Sequence, residues 1–195
     1  GTYVEFGDWP KDVVSEEDAI TLGLETSTEK IKRGYMDFVK GLDENYYVKC
    51  AEWGYKSSYN YHDGTKAGIN GENSRWFKVS PIKWRVADTE FKDFTGNVKG
   101  KLLIAEHVIT GNVPYYEDKD NNRIIDGNTV YPHNYKHSQI RAYLNGYTYT
   151  GFDASSTADV KKDQWNNKGF LQTAFGTDAQ STIATTKVDN TTASH

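Results

Sequence analysis

The stretch Ser138-Gln139-Ile140-Arg141-Ala142-Tyr143-Leu144-Asn145-Gly146 carries its own start and stop signals. A serine oxygen accepts a hydrogen bond from a first-turn amide that has no helical partner, which makes Ser138 an N-cap. Gly146 follows the last helical position, where a left-handed residue closes a helix. Ile140, Tyr143 and Leu144 stand at i, i+3 and i+4, so they share one face, and that face is predicted to be the buried one. Strand-like segments precede this helix and polar turns follow it. The expected fold is therefore α+β, with the helix as its architectural centre, packed on a sheet.

The sheet is most legible between Arg75 and Asp88. Ile82, Trp84 and Val86 alternate with Lys83 and Arg85, the period of a strand with one buried face. Pro81 cannot donate to a ladder, so a bend or bulge is expected there. Leu102-Leu103-Ile104-Ala105 reads as a fully buried strand, antiparallel to Ile82–Val86. Tyr46–Ala51 is a strand by its aromatic and β-branched content. Tyr3–Phe6 is a short strand stopped by Gly7-Asp8-Trp9-Pro10, and Thr185–Asp189 is a final one. Tyr35, Phe38, Val39 and Leu42 have the spacing of a helical turn or two, although Gly34 and Gly41 weaken it. Ser15-Glu16-Glu17-Asp18 starts either a helical turn or a solvated loop. Gly169–Phe175 and Asp178–Ala184 read as short helices, the second capped by Thr177. Trp53–Asn73 reads as hairpins and loops, with Asp63-Gly64 as the clearest turn. Asn112–Tyr135 and Tyr147–Asn167 read as polar loops.

With 195 residues the chain suffices for one domain with a real core, and residues 1–195 are read as one. Aromatic residues make up 14%, including 14 Tyr and 5 Trp, so rings must supply much of the buried area. That composition is common in secreted and cell-surface modules. The net charge is −4 and no Lys/Arg run stands out, which argues against nucleic acid as a partner. Cys50 is the single cysteine, so an intrachain disulfide is excluded, and its strand-like setting suits a small buried hydrophobe. No stretch approaches the roughly 20 apolar residues of a membrane span. Gly1-Thr2-Tyr3 reads as a mature or trimmed N-terminus.

A series of motifs runs in order along nearly the whole chain: Tyr3-Val4-Glu5-Phe6-Gly7-Asp8-Trp9-Pro10, Val79-Ser80-Pro81-Ile82-Lys83-Trp84-Arg85-Val86, Lys101–Glu106, Ser138–Asn145, Gly169-Phe170 with Ala174-Phe175, and Thr185–Asn190. In this order they resemble the bacterial extracellular domain of unknown function DUF6273, typical of surface and secreted proteins of spirochaetes and gut anaerobes. The loop Asp120–Gly127 is similar to treponemal members. The resemblance implies a secreted or cell-surface bacterial protein. Members of that family continue past the Thr-Thr-x-Val-Asp-Asn segment into a Trp-rich region with a Trp-Leu-Arg-Ser-Pro-like motif. This chain stops at His195, so the resemblance implies that the C-terminal half of the pattern is missing. That region in the family resembles the ends of C-type-lectin-like folds, including the formylglycine-generating type, which implies an incomplete C-type-lectin-like fold here. The catalytic cysteines of the formylglycine-generating enzymes have no counterpart, which argues against their activity.

Chemistry-bearing residues are sparse. Asp118, Asp120 and Asn122 alternate and Asp126 follows, the way oxygen ligands wrap calcium. Arg123 and Thr129 stand where an EF-hand needs Gly and Glu, so this is not one, and a solvated turn is the plainer reading. His133 and His137 are spaced i, i+4 and Glu106 precedes His107, but a zincin needs His-Glu-x-x-His on a helix. Ser138 neighbours His137, yet no Gly-x-Ser-x-Gly elbow exists. Arg141 reads as a structural fork rather than a ligand anchor. Trp53, Tyr55, Tyr59 and Tyr61 form either a stacking platform for sugars or a protein, or ordinary cross-strand packing.

The function these features favour is non-enzymatic: an extracellular or cell-surface module for binding or assembly, with a protein partner or a second copy and no resident cofactor. Two other classes compete. A carbohydrate-binding module would use Trp53, Tyr55, Tyr59 and Tyr61. A metal-dependent enzyme would use the 106–137 region, with calcium as the candidate ion at Asp118, Asp120, Asn122 and Asp126.

Overall fold

A computed structural model describes residues 1–50, 74–111, 113–116, 122–153 and 158–189. Its centre is a strand rather than the Ser138 helix. β5 (Arg75–Lys92) runs for 18 residues and is lined on both sides. Along one side lies β1 (Tyr3–Val13), paired from Tyr3 opposite Arg85 to Val13 opposite Phe77. Along the other side lie β4 (Tyr46–Cys50), opposite Arg75–Lys78, and β6 (Val98–Ala105), opposite Trp84–Lys92. β3 (Met36–Lys40) and β2 (Lys30–Arg33) extend the sheet beyond β4. All these pairs are antiparallel, and with the short helices they make an α+β fold.

β1 does not stop at Gly7. One residue lies between Pro81 and Lys83 on β5 where two lie between Glu5 and Asp8 on β1, so the extra residue bulges from β1. Gly7 takes φ +72° there, and a side chain at that point would run into the Phe175 ring. The irregularity expected at Pro81 thus falls on its partner strand. Pro81 itself stays in β5, and its carbonyl accepts from Lys11 Nζ at 2.8 Å.

The helical spacing at 35–42 belongs to a hairpin. Arg33 pairs with Met36 across Gly34-Tyr35, and Gly34 takes φ +54° at the first turn position. Phe38 and Val39 are both buried because β3 is covered on both faces, which erases period two and leaves a pattern that mimics a helix. Leu102–Ala105 is not a buried strand either. Among the described residues β6 is bonded to β5 alone, and Ile104 is 55% exposed. Both polar loops contain hairpins: β7 (Arg123–Ile125) with β8 (Asn128–Val130), and β9 (Tyr149–Asp153) with β10 (Ala158–Lys162). Thr185–Asp189 forms no strand, although Lys187 exchanges contacts with the turn after β5.

Four helices attach to this frame. α1 (Glu16–Thr21), capped by Ser15, covers a cluster of Ala19, Leu24, Val39, Tyr47 and Trp76. α2 (Gln139–Asn145) is capped by Ser138 and closed by left-handed Gly146, as its ends predict. Its buried face is rotated by one residue from the expected one: Gln139, Ala142 and Tyr143 are buried while Leu144 is exposed. α3 (Phe170–Ala174) is the helix that seats on the sheet, against β1 and β2, and α2 packs on α3 and β9. α4 (Thr177–Ser181) follows, with Gly176 rather than Thr177 at its N-cap. The second core joins Trp9, Ile82, Ala174 and Phe175 with a chain of rings. Trp9 meets Phe170 at 5.0 Å, Tyr143 meets Trp165 at 5.0 Å, and the Tyr35 and Tyr143 hydroxyls share a hydrogen bond of 2.9 Å. Through that bond α2 reaches the sheet.

Candidate functional site

A polar cleft of roughly 190 Å³ opens where α2 meets the β9–β10 hairpin. Three local structures build it. A single 3-10 turn, Tyr135–His137, brings Lys136 and His137 to one wall. The first turn of α2 adds Arg141, and the hairpin adds Thr150 from β9 and Lys161 from β10, with Thr148 just before β9. None of the described lining residues is acidic. Lys136 and Lys161 are exposed at the rim, and no ion pair engages them among the described residues.

The walls are held from behind by Arg123, the first residue of β7, which is 0% exposed. Its Nη1 donates to the His137 carbonyl at 2.6 Å and to the Thr150 carbonyl at 2.7 Å, and its guanidinium lies 3.8 Å from the centre of the Tyr116 ring. One side chain therefore ties the 3-10 turn to β9. Arginine suits this task, because its planar fork stays charged, donates in several directions and stacks on rings. Arg141 is half-buried: Nη1 donates to the Lys136 carbonyl at 3.3 Å, and the group lies 4.9 Å from the centre of the Tyr147 ring. It has the carbonyl partner that a structural fork requires, but the fully buried fork is Arg123. The cationic surroundings register on His137. Burial first, then the charges of Lys136, Arg123 and Arg141, hold its imidazole below the ordinary histidine value, with Asp126 opposing.

The residues singled out from the sequence fare differently. Trp53, Tyr55, Tyr59 and Tyr61 lie outside the described residues, as do Asp118, Asp120 and the Asp63-Gly64 turn. Asn122 and Asp126 are exposed at opposite ends of β7. The three residues of β7 stand between them, a span on the order of 10 Å along extended chain. Asp126 forms the β7–β8 turn with φ +52°, and its carbonyl accepts from Asn128. No group of three or more His, Cys, Asp or Glu side chains that could hold a metal occurs among the described residues. Glu106 is committed to Arg85, at 3.2 and 3.0 Å, and bonding to that guanidinium keeps its carboxyl below the usual range. His133 stacks on Tyr131. Ser138 Oγ accepts from the Arg141 amide and donates to the Tyr135 carbonyl, so the hydroxyl works as a cap. Cys50 is half-buried beside Phe77 and Val13.

Sequence reasoning missed the cleft. Its cations stand at 136, 141 and 161, a spacing that no motif encodes, and the hairpin carrying Lys161 was read as loop. The buried Arg123 left one usable trace, a charged residue at the start of Arg123-Ile124-Ile125, directly followed by two β-branched residues.

A second surface lies on the far half of β5. Past Arg85 that strand has left β1, so Val86–Lys92 and Val98–Leu103 form a two-stranded ribbon bonded to no further strand among the described residues. Phe94 at its tip is 62% exposed and Val98 59%. No family model, no curated protein and no solved structure matches the chain. No helix of the described residues is long and apolar enough to cross a membrane.

Proposed function

We propose that this chain is a non-enzymatic assembly module of a bacterial secreted or cell-surface protein, and that it pairs with a second copy of itself along the open edge of β6. The observation that carries this reading is the edge itself. A strand bonded on one side presents a row of unpaired amides and carbonyls, a template for another strand. Natural edges are blunted with charge, and the opposite end of the sheet follows that rule: β2 carries Lys30, Lys32 and Arg33. On β6, Lys99 and Lys101 guard one half, while Leu102-Leu103-Ile104-Ala105 has no charge and leaves Ile104 exposed. An antiparallel pairing of that half with its own copy closes about a two-fold axis, the commonest form of homo-oligomer. The secreted or surface setting follows the aromatic-rich composition, 14% Phe, Trp and Tyr.

Size-exclusion chromatography with light scattering on the 195-residue chain, across a range of concentrations, tests the assembly. A dimer or larger species is expected. Ile104→Lys should return it to monomer while keeping the wild-type circular dichroism spectrum, because the side chain is 55% exposed in the single chain, and its melting temperature should lose the concentration dependence that a dimer shows. A wild-type chain that stays monomeric at every concentration overturns the reading.

A further inference from the structure

We propose that the cleft between the Tyr135–His137 turn, α2 and the β9–β10 hairpin binds a phosphate- or sulfate-type oxyanion. The site is independent of the β6 edge. Three cations, Lys136, Arg141 and Lys161, come to it from three different elements, and no carboxylate lines it among the described residues. Like charges brought together without counter-charges are held at an electrostatic cost, which a bound anion removes. Convergence from several directions suits a tetrahedral group whose oxygens point outward on all sides, better than a planar carboxylate approached edge-on. The charge count points the same way: three cations match a dianion rather than a single negative charge.

The supporting chemistry is present. Thr148 and Thr150 also line the cleft and bring hydroxyl groups, which donate to oxyanions as readily as to carbonyls. Arg141 spends Nη1 on the Lys136 carbonyl, and a guanidinium has further donors to give. Arg123 fixes the wall by holding the His137 and Thr150 carbonyls, so the cations are mounted on a braced frame. Size sets the ligand class. Pockets for drug-sized molecules run from about 300 to 1,000 Å³. At roughly 190 Å³ this one takes a single oxyanion group with little attached. That group is either the free inorganic anion or the terminal substituent of a larger molecule, such as a phosphorylated or sulfated sugar whose ring stays outside.

Amide NMR titration of the 195-residue chain tests both sources, with inorganic phosphate, inorganic sulfate, glucose 6-phosphate and glucosamine 6-sulfate as probes and sodium chloride at matched ionic strength as control. Saturable shifts are expected at residues 136–142, 148–150 and 161 with at least one oxyanion and not with chloride. Tighter binding of the sugar esters identifies a substituent as the ligand, and equal binding identifies the free ion. Lys136→Gln and Lys161→Gln each remove an exposed side chain and should leave the fold intact. Each should weaken binding by about fivefold, the weight of one unit charge at about 4 Å in water. Lys92→Gln, on the distant ribbon, should leave it unchanged. Absence of saturation into the tens of millimolar overturns the proposal, as does an equal loss in all three variants.

Discussion

Arg123→Met takes a charge-assisted donor from a place that water does not reach. The arginine is fully buried, and its described partners are two carbonyls that belong to different segments, His137 and Thr150. Methionine fills most of the volume and keeps contact with the Tyr116 ring, so the cavity contribution is small. The carbonyls stay behind, and each buried acceptor left without a donor costs about 1–3 kcal/mol. Replacing a buried ionic group by a hydrophobic one stabilises a protein only when both partners go, and here only one does. A loss of about 3–5 kcal/mol follows. For a chain of this size that lowers the melting temperature by roughly 10 °C. Urea unfolding followed by near-ultraviolet circular dichroism would give the free energy directly. Arg123→Lys keeps the charge but loses the planar guanidinium that lies over the Tyr116 ring and the reach to both carbonyls, so it should fall between wild type and Arg123→Met. If Arg123→Met costs less than about 1 kcal/mol, the range of ordinary surface changes, Arg123 is replaceable volume and the bracing of the cleft is wrong.

Two more substitutions probe the frame. Gly146→Ala should cost about 1–2 kcal/mol for the left-handed backbone alone, at φ +72°. It should cost more because the new carbon would meet Gln172 Oε1, which the Gly169 amide needs, and differential scanning calorimetry would show the sum. Asp93→Asn should destabilise the ribbon turn near neutral pH and matter less as the solution is acidified. The Thr95 hydroxyl first, then Lys99 and the amides of Asn97 and Lys187, hold the Asp93 carboxyl well below its ordinary range. A carboxyl whose folded value is depressed adds stability above its unfolded value, near about 4, and loses it as the pH falls further. Melting curves of both proteins between neutral pH and about pH 3 should therefore converge on the acid side, and curves that stay parallel would exclude this role.

Elements whose signals are local were legible. Ser138 and Gly146 marked both ends of α2, Ser15 started α1, and the alternation of Ile82, Trp84 and Val86 placed β5 beside Leu102–Ala105. Failures came where packing overrides local pattern. Phe38 and Val39 are buried on both sides of one strand, so their spacing imitated a helix. Leu102-Leu103-Ile104 reads as core by hydrophobicity, yet it stands at an edge because β5 outruns the strands that would cover it. The face of α2 was misjudged by one residue because α3 approaches from a direction that helix periodicity does not contain.

The candidate cleft divides along the same line. Local signals were enough for a capped helix after His137, an α+β class and a sheet with Ile82–Val86 beside Leu102–Ala105, and the sequence holds few histidine–acid patterns that would announce a metal or nucleophile. Those properties depend on neighbours within a few residues, where hydrogen-bond geometry and periodicity act. That Lys136, Arg141 and Lys161 line one cleft, that Arg123 braces its walls, and that β6 has no second partner among the described residues all come from the tertiary arrangement. These depend on how elements far apart in the chain are laid side by side. That arrangement is selected by burying the large rings Trp9, Tyr35, Tyr143 and Phe175 together, and the surface charges are carried into place by it.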